Sequence, residues 1–401
     1  MRVLLVSQHF APEVTAARFR MQAFTEELVA RGHELEVITA VPNHPQGSID
    51  PHYRRRLLVT RRERSMRVRH VWVRVRQRKS FLNRIGLYAS FTAAASLTGA
   101  FQRRPDVIVG SSPPLPVGAA GLLLAHCHRA PWVMDVRDVW PDSAVALGEL
   151  TNPRAIAAAE WLERRLYADA AAIVTVNDAF AGHIAGVAPA GSRIEVVPNG
   201  TTRFWLEAGA AEPDRDALGL DPDRFIWAYA GNLGLAQGLE AAVDAARLLG
   251  EDYTLLIIGD GPRRAEIEQL AGTAPPGSVE LRPLMAPAEA ARHLRAADAL
   301  LVSERQERTV ASKLYDCCAI ARPVVAACRG ELRRVVEARS VAVAVDHGDP
   351  QELASAIRRL AGDARLRDRL VPNGTKFARE HLRETQAQRF GDLLEAVGGR
   401  R

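Results

Sequence analysis

Short apolar runs recur along this chain, and most are followed by a stretch of helical periodicity. Arg2 to Ser7 reads as a strand, and Thr15 to Arg31 as a helix with Phe19, Ala23, Phe24, Leu28 and Val29 interleaved. Gly32 and His33 end that helix, and Leu35 to Thr39 reads as a second strand. Strand, helix and strand joined by short turns make a βαβ unit, hence a parallel sheet, because parallel neighbours need a crossover that runs back. Asp106 to Gly110, Leu115 to His126 and Trp132 to Asp135 repeat the pattern as strand, helix and strand. In the second half Phe225–Ala230, Thr254–Gly259, Ser278–Arg282, Ala299–Ser303, Val324–Ala327 and Val341–Val345 read as strands, with helical segments between most of them. Two doubly wound α/β domains are the economical reading, and 401 residues suffice for each to bury its own core. The junction falls near Thr201–Pro213, whose Gly, Ala, Glu and Pro read as a linker.

Several function classes fall away. No apolar run reaches the ~18–20 residues that span a bilayer. The first apolar run, Val3 to Val6, meets Gln8, His9 and Pro12 too soon for a signal peptide, so a cytoplasmic protein is expected. Cys127, Cys317, Cys318 and Cys328 show neither CxxC nor Cys/His ligand spacing, which argues against a zinc site or a disulfide framework. The loop after the first strand, Gln8-His9-Phe10-Ala11-Pro12-Glu13, has no glycine, whereas a nicotinamide-binding fingerprint needs three there. Its bulky residues suit the wall of an acceptor pocket instead.

The net charge of +6 is unevenly spread. Residues 54–84 carry Arg54, Arg55, Arg56, Arg61, Arg62, Arg64, Arg67, Arg69, Arg74, Arg76, Arg78, Lys79 and Arg84 against one acid, Glu63. Val71, Val73 and Val75 alternate with arginines, as in a strand with one solvated face, and Phe81 to Phe101 reads as a helix bearing aromatic residues. Two readings stand: contact with an anionic membrane surface or acceptor at the inner face of the plasma membrane, or a solvated arginine face. No nucleic-acid motif accompanies the charge.

The glycine turn Tyr229-Ala230-Gly231-Asn232-Leu233-Gly234-Leu235-Ala236-Gln237-Gly238-Leu239 links a strand to the helical stretch Glu240–Leu249. Glycines let backbone N–H groups approach an anion, and a helix start supplies a positive dipole end. A second glycine turn, Gly259-Asp260-Gly261-Pro262, follows the next strand. Ser312 suits an N-cap, and Lys313 stands in a first helical turn, where the dipole disfavours a cation. Such a placement suggests that its amine serves a bound anion, with Asp316 one turn on within reach of a ribose hydroxyl. In Asp135-Val136-Arg137-Asp138-Val139-Trp140-Pro141-Asp142, Asp138 either orients and deprotonates an acceptor hydroxyl, pairs with Arg137 or caps a helix.

The ordered combination of Gln8-to-Glu13, Arg31-Gly32-His33-Glu34, Val197-Pro198-Asn199-Gly200, the two glycine turns and Ser312-Lys313 through Pro323-Val324-Val325 resembles the family-4 retaining glycosyltransferases of GT-B fold. The likeness spans nearly the whole chain and is closest to the bacterial branch that builds polysaccharide repeat units, including fucosamine and colanic-acid-type transferases. That branch shares Asp138-Val139-Trp140-Pro141 and Ser312-Lys313. The resemblance implies two Rossmann-like domains facing across a cleft: an acceptor domain over 1–205, a nucleotide-sugar domain over 206–375, and a helix in 376–401 crossing back. It implies metal-independent transfer with retention, a nucleotide-diphosphate sugar (a UDP-sugar) as donor and no further cofactor. By position Gly231, Asn232 and Gly234 line the diphosphate, Asp260, Gly261 and Pro262 border the nucleotide, and Asp316 takes the ribose; the placement of Lys313 adds it, with Ser312 beside it, to the donor site. The acceptor is a glycan, a lipid-linked sugar or a small molecule.

Three departures accompany it. Eight residues before Asp316, where the family signature has a glutamate, stands Arg308, with Glu304 and Glu307 out of register. The second acid is Asp316 rather than glutamate, and Asn232 and Gln237 replace a phosphate-binding Arg and Lys. The branch often shows the same loss, but a catalytically silent sugar-nucleotide-binding scaffold is the alternative that it raises.

Overall fold

The computed structural model describes residues 1–13, 15–43, 48–63, 65–76, 81–146 and 148–399. Two compact units make up the chain: unit 1, Met1–Asn199 together with the chain from Arg383 onward, and unit 2, Gly200–Leu382.

Unit 1 is built on eight strands: β1 (Arg2–Val6), β2 (Glu34–Ala40), β3 (Leu58–Glu63), β4 (Met66–Val71), β5 (Val107–Ser112), β6 (Trp132–Val136), β7 (Ala172–Thr175) and β8 (Ile194–Val196). They pair in the order β3-β4-β2-β1-β5-β6-β7-β8. All pairs are parallel except β3 with β4. Its helices are α1 (Ala16–Ala30), α2 (Phe81–Ala100), α3 (Leu115–His128), α4 (Asp142–Ala146), α5 (Pro153–Asp169) and α6 (Asp178–Val187). Thr15 starts α1 by accepting a hydrogen bond from the Arg18 N–H at 3.1 Å. Alternation along β1 sends Leu4 and Val6 into one core with Phe91, Leu124 and Leu166, and Val3 and Leu5 into another with Met21, Phe24 and Leu28. A sheet apolar on both faces needs helices on both, which is why the strands read as continuous apolar runs.

Unit 2 carries α7 (Arg203–Ala210), β9 (Phe225–Ala230), α8 (Glu240–Leu249), β10 (Tyr253–Ile258), α9 (Arg264–Ala271), β11 (Val279–Arg282), α10 (Pro287–Ala296), β12 (Ala299–Glu304) and α11 (Lys313–Ala319). It continues with β13 (Val324–Cys328), α12 (Gly330–Arg339), β14 (Val343–Val345), α13 (Pro350–Gly362) and α14 (Ala364–Glu380). Its strands are all parallel, in the order β11-β10-β9-β12-β13-β14. Ile226 and Ala228 face one core while Trp227 and Tyr229 face the other. The last helix, α15 (Arg383–Gly398), belongs to unit 1, where Phe390 stacks on Phe24 with centroids 3.9 Å apart.

Three sequence expectations change. The supposed linker over Thr201–Pro213 contains α7, and Gly209 packs so closely on α11 that a Cβ there would lie 2.1 Å from the Ala319 carbonyl oxygen. The helix expected from Lys376 is two: Lys376 belongs to α14, Phe377 stacks on Tyr315 within unit 2, and α15 starts at Arg383. The Thr201 N–H bonds the His381 carbonyl at 2.9 Å at this break. The alternation at Val71, Val73 and Val75 marks only the end of a strand, since β4 stops at Val71. Its antiparallel neighbour β3 was hidden because an arginine-rich edge strand has no apolar run, and β7 and β8 are only four and three residues long.

Candidate functional site

In unit 2 the strand order reverses at β9, which has β10 on one side and β12 on the other. Open parallel sheets bind ligands outside the carboxyl ends of their strands at such a switch point. The loops that leave β9, β10 and β12 carry the two glycine turns and the segment leading to Lys313.

The first two loops interlock through their backbones. The Gly231 N–H donates to the Ile258 carbonyl at 2.8 Å, the Leu233 N–H to the Asp260 carbonyl at 2.9 Å, and the Arg263 N–H to the Leu233 carbonyl at 2.9 Å. Side chains are excluded at the crossing: a Cβ on Gly259 would lie 1.9 Å from the Gly231 carbonyl oxygen, and one on Gly261 2.5 Å from that of Leu233. Gly259 also holds φ +151°, a conformation that other residues rarely adopt. The Tyr229 hydroxyl donates to the Asn232 carbonyl at 2.7 Å, and Asn232 Nδ2 donates to Gln237 Oε1 at 3.2 Å. Gly234 fits against that amide pair, since its Cβ would lie 2.5 Å from Asn232 Nδ2.

Lys313 reaches this turn. A Cβ on Gly231, whose φ is +147°, would lie 2.0 Å from Lys313 Cε and 2.1 Å from Nζ, so the glycine leaves the space that the lysine fills. The ammonium lies 5.1 Å from the centroid of the Tyr229 ring, which attracts a cation through its π face. Among the described residues Lys313 makes no ion pair. Burial pushes its pKa down, opposed by the negative charge of Asp316 and Glu304. A buried ammonium without a carboxylate partner carries a desolvation cost that a bound anion offsets. Ser312 precedes α11 but does not cap it: its backbone is already helical and its side chain accepts no bond from the first turn. Asp316 accepts a hydrogen bond from the Thr201 hydroxyl at 2.7 Å, a partner from outside the motif. The Asp260 carboxylate turns back to accept from the Gly261 N–H at 2.8 Å, and Pro262 beside it is exposed. Gly231, Asn232, Gly234, Asp260, Gly261, Pro262 and Lys313 thus belong to one loop cluster. Tyr229 and Gly259 complete it and had no separate sequence signal beyond their place in the quoted glycine turns, whereas Thr201, which holds Asp316, lay in the stretch read as a linker.

Unit 1 places Asp138 after β6. Burial raises its pKa to about 6, against the pull of hydrogen bonds from Ser143 and the Val139 backbone and of the Arg137 charge. Arg137 itself donates to Ser111 Oγ at 3.0 Å and to the Pro113 carbonyl at 2.8 Å, and it faces Asp135 at 3.8 Å. Asp135 is the structural acid of this loop. On β6 it alternates onto the α1 side, where it is fully buried and accepts both Arg20 Nε at 3.0 Å and Nη2 at 2.9 Å. Arg20 Nη1 also holds the Val197 carbonyl at 2.7 Å, fixing the end of β8. His9 hydrogen-bonds to Glu13 at 2.6 Å in the loop after β1, on the same edge of the sheet.

The basic segment has acidic partners that its own sequence does not show. Arg67 and Arg69 both pair with Glu36 of β2, at 2.9 and 3.2 Å, and Arg84 pairs with Glu149 at 2.7 Å. Arg54, Arg55, Arg56, Arg61 and Arg62 are exposed, the last two on edge strand β3, where charge blocks pairing with another sheet. Arg64, Arg78 and Lys79 lie outside the described residues. Among the described residues no helix is long and apolar enough to cross a membrane.

Residues 15–200 match the model of a glycosyl transferase 4-like domain, and residues 224–363 that of glycosyl transferases group 1. The chain is 27% identical over 403 residues to the putative colanic acid biosynthesis glycosyl transferase WcaI of Escherichia coli K12, covering 96% of each chain. Among solved structures it resembles a sucrose-phosphate synthase from Thermosynechococcus elongatus, with a TM-score of 0.75 and 18% identity over 99% of each chain. It also resembles Anabaena HepE in complex with UDP and glucose, with a TM-score of 0.72 and 16% identity, covering 99% of this chain and all of that one.

Proposed function

We propose that this chain, which belongs to the glycosyltransferases of GT-B fold and to their bacterial polysaccharide branch, uses a UDP-sugar as donor. The sugar passes to a hydroxyl of a glycan, lipid-linked sugar or small-molecule acceptor, with retention of configuration and without a metal. The observation that carries this reading is the insertion of the Lys313 ammonium into the space left by Gly231 at the switch point of unit 2. The donor parts at its sugar–phosphate bond, so negative charge grows on the departing diphosphate while the sugar gains oxocarbenium character. Donors fixed before the reaction stabilise that charge without reorganising. Backbone groups of Gly231, Asn232 and Gly234 position the diphosphate, and Lys313 supplies the cation that Asn232 and Gln237 lack. Asp316 and Ser312 take the ribose and the phosphate edge, and Asp260, Gly261 and Pro262 border the nucleotide.

Unit 1 supplies the acceptor side. With a pKa near 6, Asp138 is ionised at neutral pH and basic enough to accept the proton of the attacking hydroxyl. The exposed arginines at 54–56, 61 and 62 provide contact with an anionic membrane surface.

The test joins binding to turnover. UDP at one hundred times its Kd should stabilise the protein by about 2.7 kcal/mol. UDP-sugars should then release UDP when lipid-linked and soluble acceptors are supplied, and NMR of the product should show the donor's anomeric configuration. UDP binding without release across that panel would favour the silent scaffold, and no stabilisation by any nucleoside diphosphate would sink both readings.

A further inference from the structure

The loops with His9 and Asp138 leave the carboxyl ends of the unit 1 strands. At the other end, where β1, β2 and β4 begin, lies a cavity of about 260 Å³. Strand register sets its floor. Leu4 of β1 stands beside Glu36 of β2, Glu36 beside Arg67 of β4, and Arg67 directly opposite Arg62 of the edge strand β3. Residues paired in this way share a face, and like charges directly opposite on an antiparallel pair are destabilising. Arg103, just past the end of α2, lines the same cavity.

The carboxylates of the wall are already in use. Glu34 accepts from Arg2 Nε at 3.2 Å, and Glu36 accepts from both Arg67 Nη1 at 2.9 Å and Arg69 Nε at 3.2 Å. The Nε–H of Arg67 is still buried without an acceptor. Arg62 and Arg103 are exposed, and among the described residues neither makes an ion pair or a side-chain hydrogen bond. The end of α2 does not supply the missing acceptors. Its Thr98 carbonyl accepts from Gln102 Nε2 at 2.7 Å, and its Gly99 carbonyl bonds His128 Nε2 at 2.9 Å. Arg2, Arg62, Arg67 and Arg103 against Glu34 and Glu36 therefore leave the described wall with two positive charges in excess.

A carboxylate would cancel one of these charges, whereas a phosphomonoester carries about −1.5 to −2 and offers three acceptor oxygens. Guanidinium groups meet such oxygens with paired N–H donors. Pockets for drug-sized ligands run to about 300–1,000 Å³, so this smaller one suits a phosphate or diphosphate with little attached. We propose that the cavity binds a phosphomonoester or diphosphate group between Arg62 and Arg103. The anion offsets the repulsion of Arg62 by Arg67 and ties edge strand β3 to the end of α2. The cavity and the Asp138 loop lie at opposite ends of the strands, so this ligand is neither the donor nor the acceptor of the proposed transfer.

The test titrates inorganic diphosphate into the full-length protein by calorimetry, at about 0.15 M salt so that exposed charges more than ~8 Å apart are screened. Binding should survive excess UDP and weaken at least tenfold in Arg62→Gln and in Arg103→Gln. It should stay unchanged in Arg56→Gln, which alters an exposed arginine outside the cavity. Sedimentation of the same variants with vesicles containing phosphatidic acid separates the sources of the phosphate. Vesicle binding that both cavity substitutions remove identifies a lipid headgroup, and diphosphate binding without vesicle binding identifies a soluble phosphate; either outcome upholds the site. The proposal is overturned by a protein that ignores diphosphate, by binding that UDP displaces, or by affinities that Arg62→Gln and Arg103→Gln leave intact. Equal weakening by Arg56→Gln overturns it as well, since that would mark a diffuse positive surface instead of a built site.

Discussion

Replacing Gly231 with alanine tests the geometry of the donor site most directly. The added methyl would meet Lys313 Cε at 2.0 Å and Nζ at 2.1 Å. Both atoms end a flexible side chain, so the lysine is displaced before the backbone moves. The residue also holds φ +147°, and strain of this kind costs about 1–3 kcal/mol for a residue with a Cβ. For a unit of this size that corresponds to a fall in Tm of about 2–12 °C. If the ammonium is the transition-state donor, its displacement should lower kcat/KM by about 10²–10³, the same loss expected of Lys313→Ala. The two substitutions then remove one interaction twice. The double variant should match Lys313→Ala, giving a coupling of about 2.7–4 kcal/mol in a cycle built from kcat/KM for UDP release. Independent effects would multiply to about 10⁴–10⁶. Losses that multiply, or a Gly231→Ala enzyme with normal kcat/KM and only a lower Tm, would refute the reasoning.

Two other outcomes follow from unit 1. Asp138 has its folded pKa raised to about 6 from 3.8, so the unfolded chain ionises first and stability falls as pH rises between those values. Asp138→Asn should therefore remove that pH dependence, worth about 3 kcal/mol at most, in urea melts at pH 4 and pH 7, and should abolish the rise of kcat/KM with pH near 6; a wild-type rate flat from pH 5 to 8 contradicts its role as base. Arg20→Met should cost about 3–5 kcal/mol by denaturation because it leaves Asp135 charged and fully buried, and Asp135→Leu added to it should restore part of the loss; a cost below 1 kcal/mol would show that the pair does not brace the sheet edge.

Much of the fold was legible because it is written in local periods. The alternation Val3-Leu4-Leu5-Val6 requires a sheet covered on both faces, and the turns at Gly231 and Gly259 announce strand-to-helix connections. Where the local signal was weak, the reading failed. Strand β3 consists of Leu-Val-Thr-Arg-Arg-Glu at a sheet edge, where pairing with β4 rather than apolar content makes the strand. The helix α7 looked like a linker because its glycine serves a close approach to α11 rather than flexibility. Ser312 has the residue type of a cap without the extended backbone that capping needs.

The sequence by itself determined the two α/β units, the glycine turns and the residue types gathered at them, since backbone conformation and face alternation depend on neighbours a few positions apart. Tertiary structure decided which distant groups meet. It set Lys313 into the space at Gly231, gave Asp135 rather than Asp138 the buried arginine, and matched Arg67 and Arg69 to Glu36. It also set how basic Asp138 is. Desolvation and ion pairing depend on what surrounds a charge in space, and no local period in the chain specifies that.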